Sequence, residues 1–317
     1  MKKSFEDVLL TQMAGNEKIA LFLADEDHDF CEKAEELFSR RVFRFGIAEC
    51  NMVGAAAAFS KEGFIPVVYT FDSFLSYRAY EFIRNDICLN DCNVKIVGMG
   101  GGLRMNNLGA THHATENIAA LRVLPNLAMF VPASPRQIAP ILEKSIERTG
   151  SVYIRLGKAF ETEIFEDTYI KEHRLNTNAQ AEFCVGKPQI IKNGEDVTII
   201  STGNIIAEVI AASDMLEKTG IDAEIINLPT IKPLEVEAII RSAQKTKCVI
   251  TVEEHQISGG IGGLVAEILI GKGSFSFERL GLNDTFCNYL GWHKDLLAYH
   301  CMDAAGIYNC ATRMIRK

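Results

Sequence analysis

The chain lacks any apolar run long enough to cross a bilayer. Charged residues interrupt every hydrophobic stretch, including the one behind the two lysines at its start, so neither a membrane span nor a signal peptide is expected. No Lys/Arg cluster builds a basic face, and the formal net charge is −8, which sets nucleic acid aside as a partner. The nine cysteines are odd in number and scattered without framework spacing, which points to reduced thiols and a cytoplasmic setting. Cys88 and Cys92 are not accompanied by a second pair, so no metal-ligating residues are expected in this chain. There is no low-complexity tract or short repeat, and no Gly-Lys-Ser/Thr follows the glycine-rich segment, which excludes a P-loop.

What remains is a 317-residue chain, 48% hydrophobic and 23% charged, with room for two domains. Short β-rich runs alternate with helix-length amphipathic segments, the pattern of a parallel α/β fold. Strands are expected at 19–24, 42–45, 65–69, 94–97, 127–131 and 152–156, with helices between them. Their near-continuous hydrophobicity implies sheets covered on both faces. A polar stretch without periodicity follows, and then alternation resumes with strands at 197–201, 223–228, 248–252 and 275–280. The expected organisation is two domains, each a mostly parallel sheet flanked by helices, over residues 1–160 and 195–317 with a linker at 161–194.

Three features carry chemistry. Glu49 stands among apolar neighbours where a strand turns into a helix, so desolvation is expected to raise its pKa. The plainer reading is a helix-start carboxylate stabilised by the dipole. Phe71, Phe74 and Tyr77 follow a strand at three-residue spacing, which in a helix places them on one face. In isolation such a trio is more often core packing, but the carboxyl end of a parallel strand is where open α/β sheets bind ligands. Residues 98–113 form a long glycine-rich loop in which Gly100, Gly101 and Gly102 would let backbone approach a ligand. His112 and His113 end that loop and are candidates for a donor or proton shuttle. A fixed acid facing an aromatic slot suits a flat, protonatable heterocycle such as the aminopyrimidine of thiamine.

RFGIAECNMVGAAAAFSKEGFIPVVYTF, RAYEFIRNDI, VKIVGMGGGL, GATHHATENIAALRVLPNL, VPASP and VYIRLGK resemble the transketolase family, and STGN, INLPTIKPL and TVEEHQISGGIGGLVAE agree. The resemblance covers essentially the whole chain and is to the family's pyrimidine-binding and C-terminal domains. It implies a ketol transfer dependent on thiamine diphosphate. Glu49 then matches the glutamate at the pyrimidine N1′, Phe71, Phe74 and Tyr77 match the pocket around that ring, and His112 matches the histidine facing the substrate. The family's Gly-Asp-Gly, which with a later Asn places Mg²⁺ on the diphosphate, occurs nowhere here. The resemblance is therefore to the C-terminal, β-type subunit of a split transketolase. An N-terminal, α-type partner would carry the diphosphate and Mg²⁺ domain, in an α₂β₂ heterotetramer.

The chain departs from the family pattern near the substrate. Leu108 replaces an acid before the Gly-x-Thr-His, Glu26 follows Ala24-Asp25 where a serine is common, and Lys158 and Lys2 or Lys3 stand where arginines hold a sugar phosphate. Arg104 offers a replacement cation. These changes imply retained cofactor chemistry and altered specificity for a small sugar or sugar phosphate. Two other readings remain: a β subunit of a 2-oxo acid dehydrogenase or a relative of deoxyxylulose-phosphate synthase, and a non-catalytic scaffold subunit. The loose GGIGG at 259–263 is better explained by close helix packing than by a dinucleotide site, and Glu253, Glu254 and His255 as structural or interface residues.

Overall fold

A computed structural model of the chain describes residues 1–25, 28–158, 161–176 and 183–316. Glu26, named above, lies outside the described residues. The strands are β1 (Ile19–Leu23), β2 (Val42–Arg44), β3 (Ile65–Phe71), β4 (Lys95–Met99), β5 (Leu127–Phe130), β6 (Ser151–Leu156), β7 (Gln189–Lys192), β8 (Val197–Ser201), β9 (Ala223–Asn227), β10 (Thr230–Lys232), β11 (Cys248–Gln256) and β12 (Ser276–Leu282). They form two sheets, in the orders β10-β5-β6-β4-β3-β1-β2 and β12-β11-β8-β9-β7. Every pairing between them is parallel except β10 on β5 and β7 on β9, both at sheet edges. The α/β architecture expected from the alternation is the one observed.

Burial follows from coverage on both faces. Every residue of β1, β4, β5 and β6 is buried, as is every residue of β8 and β9. Successive side chains in β1 part company. Ile19, Leu21 and Leu23 join a core with Phe5, Leu9 and Phe130, whereas Ala20 and Phe22 join a second core. That second core continues into the other sheet through Ile200 and Ile226 and takes in Leu228, Ile231 of β10 and Val265, so the two sheets share apolar packing.

Several elements differ from the sequence-based expectation. The stretch read as linker contains the helix Asp167–Glu172 and the edge strand β7. β10, in a proline-flanked segment, leaves the second half of the chain to extend the first sheet. Three residues between prolines are too few to show a period. β11 runs to Gln256, four residues beyond its expected end, which carries Glu253, Glu254 and His255 into the sheet. A further helix, His293–Tyr299, lies where the sequence pattern gives no expectation of one. No described helix is long and apolar enough to cross a membrane.

Candidate active site

After β2 the chain turns through Gly46, whose φ of +63° favours glycine, and enters the helix Glu49–Lys61. Glu49 is its first residue and is only 1% exposed. Its neighbourhood is not wholly apolar, as its sequence context suggests. Arg78 Nη1 donates to Glu49 Oε2 at 2.5 Å, and the Arg78 side chain is 43% exposed.

The winding after β3 explains this contact. Residues Phe74–Arg78 form a π-helical turn, wider than the α-helix that three-residue spacing presumes. That turn sets the Arg78 guanidinium over the Phe74 ring, 5.0 Å from its centroid, and directs Arg78 to Glu49. Phe71 and Phe74 meet edge to face at 6.1 Å, and His112 packs against both, at 6.4 Å and 5.0 Å. Tyr77 takes another course. Its hydroxyl donates to Glu116 Oε2 at 2.7 Å and accepts the Glu116 N–H at 2.9 Å, and burial together with the Glu116 carboxylate raises its pKa. Two rings and His112 thus gather, the Tyr77 hydroxyl is tied to Glu116, and the three aromatics do not line one α-helical face, because Phe71 ends β3 and the turn after it is π-wound.

Asp72, between Phe71 and Phe74, anchors this turn from below. Its buried carboxylate accepts from Ser76 Oγ at 2.6 Å, Asn117 Nδ2 at 2.6 Å and the Tyr153 hydroxyl at 2.7 Å. Burial raises its pKa, opposed by Arg155 and these donors. Gly98 of β4 makes room for it, since a Cβ there would lie 2.4 Å from Asp72 Oδ1. Sequence reading misses both Asp72 and Arg78. The available signal is an acid inside the aromatic run TFDSF and a cation directly behind Tyr77.

The glycine loop is also corrected. Gly100, Gly101 and Gly102 do not open backbone to a ligand, because their missing side chains accommodate Met105, Arg155 and Glu254, each within 2.8 Å of the Cβ that would be added. Arg155 is buried and donates to the carbonyls of Ala114 and Glu254. Of the two histidines, His112 faces the aromatic pair. His113 is buried with neither ring nitrogen hydrogen-bonded, and burial lowers its pKa. The structure therefore selects His112 as the histidine beside the rings.

Arg104 and Lys158 line a separate cleft of about 730 Å³ with Asn106, Asn107, Trp292, His293 and Lys294. His112 is not among its lining residues. Behind it, buried Glu254 accepts from Leu103 N–H at 3.1 Å and Asn204 Nδ2 at 3.1 Å, and pairs with His293 Nε2 at 2.9 Å. Burial alone would raise the Glu254 pKa, but His293, Arg104 and Arg155 outweigh it and hold it at about 2. The run 253–255 is divided among different tasks. Glu253 accepts the N–H groups of Ile261 (2.7 Å) and Gly262 (2.9 Å) at a helix start, and burial raises its pKa to about 7. His255 bridges Gln256 O and Ala119 N–H.

A buried acid at a helix start thus lies with two rings and a histidine at the carboxyl end of β3. Residues 1–160 match the family model for the transketolase pyrimidine-binding domain, and residues 186–307 that for the transketolase C-terminal domain. The chain belongs to the transketolase family. A solved structure described as a split-gene transketolase, an inactive β4 tetramer, is 34% identical and superposes with a TM-score of 0.85, covering 99% of this chain and 98% of its own. A putative transketolase C-terminal section of Methanocaldococcus jannaschii is 34% identical over 96% of this chain and 89% of its own length. 1-Deoxy-D-xylulose-5-phosphate synthase 1 of Geobacter sulfurreducens is 32% identical over 96% of this chain, which spans 46% of that protein. Within the transketolase family the chain corresponds to the C-terminal portion, found in some relatives as a separate polypeptide.

Proposed function

We propose that this chain is the C-terminal subunit of a split, thiamine diphosphate-dependent transketolase. With an α-type partner carrying the diphosphate and Mg²⁺ domain, in an α₂β₂ assembly, it transfers a two-carbon ketol unit from a ketose phosphate to an aldose phosphate. The observation that carries this reading is the buried Glu49 carboxylate linked through Arg78 to the Phe71–Phe74–His112 cluster.

The residues present fit the pyrimidine end of thiamine diphosphate. Glu49 is an acid shielded from water whose partner is a half-exposed arginine able to swing away, and Phe71 and Phe74 offer aromatic walls. Tyr77, reached through Glu116, would complete the wall on the outer side. Bound, the cofactor supplies the nucleophilic carbon that cleaves and forms the C–C bonds. Glu49 would hold a proton at the ring nitrogen N1′. His112 Nδ1 is engaged by Thr111 Oγ1 at 3.0 Å, which would leave Nε2 to meet a substrate oxygen and stabilise charge or move a proton there. Arg104 and Lys158 would draw in the anionic end of the sugar.

The test is reconstitution. The chain is mixed with an α-type partner, thiamine diphosphate and Mg²⁺ and assayed with ketose phosphates or pyruvate as donor. Ketose-dependent transfer that requires both chains supports the reading. Turnover by the isolated chain would refute the partner requirement, and use of pyruvate alone would transfer the assignment to the deoxyxylulose-phosphate synthase class.

A further inference from the structure

β11 of the second sheet ends against the segment that carries His112. Glu254 Oε2 accepts Leu103 N–H at 3.1 Å, on the N-terminal side of that histidine. On its C-terminal side, Gln256 N donates to Thr115 O at 2.7 Å, and His255 Nε2 accepts Ala119 N–H at 3.3 Å. Three consecutive residues from the second half of the chain thus hold the first half at three points around the site.

The side chain of Gln256 extends this grip to Tyr77. Its Nε2 donates to Glu116 Oε1 at 3.4 Å and to Thr285 O at 2.8 Å. Thr115 Oγ1 donates to the same Glu116 oxygen at 2.9 Å. The other oxygen, Oε2, takes the Tyr77 hydroxyl at 2.7 Å, and the Glu116 N–H donates back to that hydroxyl at 2.9 Å. Tyr77 is 38% exposed, so without these bonds its ring would be free to change rotamer. Fixing a wall before a ligand arrives removes the entropy cost of ordering it on binding.

We propose that Glu116 and Gln256 are positioning residues that fix Tyr77 in advance as the outer wall of the ring pocket, so that the second half of the chain sets affinity for the cofactor's pyrimidine; the identity of that ring rests on the transketolase reading. Neither residue touches the reacting atoms. Glu116 acts through the Tyr77 hydroxyl, by a charge-assisted bond, and Gln256 acts through Glu116, by aiming its carboxylate.

The chain is assembled with the α-type partner and Mg²⁺, and thiamine diphosphate binding is followed by titration calorimetry, which needs no turnover. Glu116→Ala should weaken binding about tenfold, the loss of one charge-assisted hydrogen bond, and Gln256→Leu about threefold. Glu116→Gln keeps an acceptor for the hydroxyl and should recover part of the loss. In each variant cofactor affinity should fall by a larger factor than kcat at saturating cofactor. In a Tyr77→Phe background Glu116→Ala should have no further effect, since the hydroxyl through which it acts is gone. The same tenfold loss in that background, or parent-like affinity in both Glu116→Ala and Gln256→Leu, overturns the proposal. Tyr77→Phe alone removes a single oxygen and tests the same link should Glu116→Ala not fold: weaker cofactor binding supports the proposal, and unchanged binding overturns it. Parent-like affinities in the variants defeat this inference alone, whereas absence of thiamine diphosphate binding by the parent pair defeats the transketolase reading and this inference with it.

Discussion

Arg78 Nη1 lies 2.5 Å from Glu49 Oε2, and the same guanidinium sits 5.0 Å from the Phe74 ring centroid. One half-exposed cation thus spans the acid and the aromatic wall of the site. A carboxylate that is 1% exposed needs such a partner, since an unpaired charge in the interior is costly. The contact therefore occupies the acid in the cofactor-free chain.

Replacing Arg78 by Met leaves the Glu49 carboxylate without its cation. The cofactor-free chain should lose about 1–2 kcal/mol, less than for a fully buried pair because Arg78 is half-exposed. Thermal melts of the assembled enzyme should show a larger stabilisation by thiamine diphosphate in the variant than in the parent. An identical or smaller gain would refute competition between Arg78 and the ring for Glu49.

Glu49→Gln keeps size and hydrogen bonding but cannot supply the acid. Ketol transfer by the reconstituted enzyme should fall by roughly 10²–10⁴-fold. The far-ultraviolet circular dichroism and urea midpoint of the isolated chain should stay close to the parent's. Turnover within a few-fold of the parent would remove Glu49 from the mechanism.

Gly260 is the N-cap residue of the helix Ile261–Leu269, and an added Cβ there would lie 1.9 Å from Glu253 Oε2. That carboxylate is held by two backbone N–H groups and cannot yield, so Gly260→Ala should cost about 2–3 kcal/mol. Gly15 is the matched control: nothing lies within 4 Å of its added Cβ, at the end of a helix. Gly15→Ala should be neutral or stabilising by up to about 1 kcal/mol. Urea denaturation of both variants checks the contrast.

His255 is bonded as a neutral ring, with Nδ1 directed to Gln256 O at 2.7 Å and Nε2 accepting from Ala119 N–H at 3.3 Å. Burial lowers its pKa from 6.5 to about 4. Between those values the unfolded chain binds a proton that the folded chain refuses, so this group's contribution falls as pH drops from 6.5 to 4 and is level below. The full effect is on the order of 3 kcal/mol. Glu253, with its pKa raised to about 7, acts with opposite sign over an overlapping range. The check is therefore the difference between His255→Gln and the parent in urea midpoints over that window. The gap in favour of the variant should widen toward acid, and a pH-independent gap would contradict the assignment.

Legibility varies with the distance over which each feature is decided. The strand expected at 19–24 matches the observed one to within one residue, because a run of buried apolar residues is a local signature. The helix expected after the strand at 42–45 starts at Glu49, a polar residue that an apolar periodicity does not mark. The three-residue spacing of Phe71, Phe74 and Tyr77 is meaningful, but it suggests the wrong winding. Nothing in that spacing reveals that Asp72, fixed by Tyr153 from β6, accompanies a π turn.

Local pattern in the sequence was enough for every strand except β7 and β10, for the mostly parallel character of the sheets and for the placing of Glu49, Phe71 and Phe74 near strand ends. Each of these follows from periodicity and burial over a few consecutive residues. Only the tertiary structure decided that Arg78 reaches Glu49 across 29 positions, that β10 joins the first sheet, and that Glu254 binds Leu103 across 151 positions to bring Arg104 and Lys294 into one cleft. Those contacts depend on how packed layers meet in space, and chain-local patterns carry no record of that.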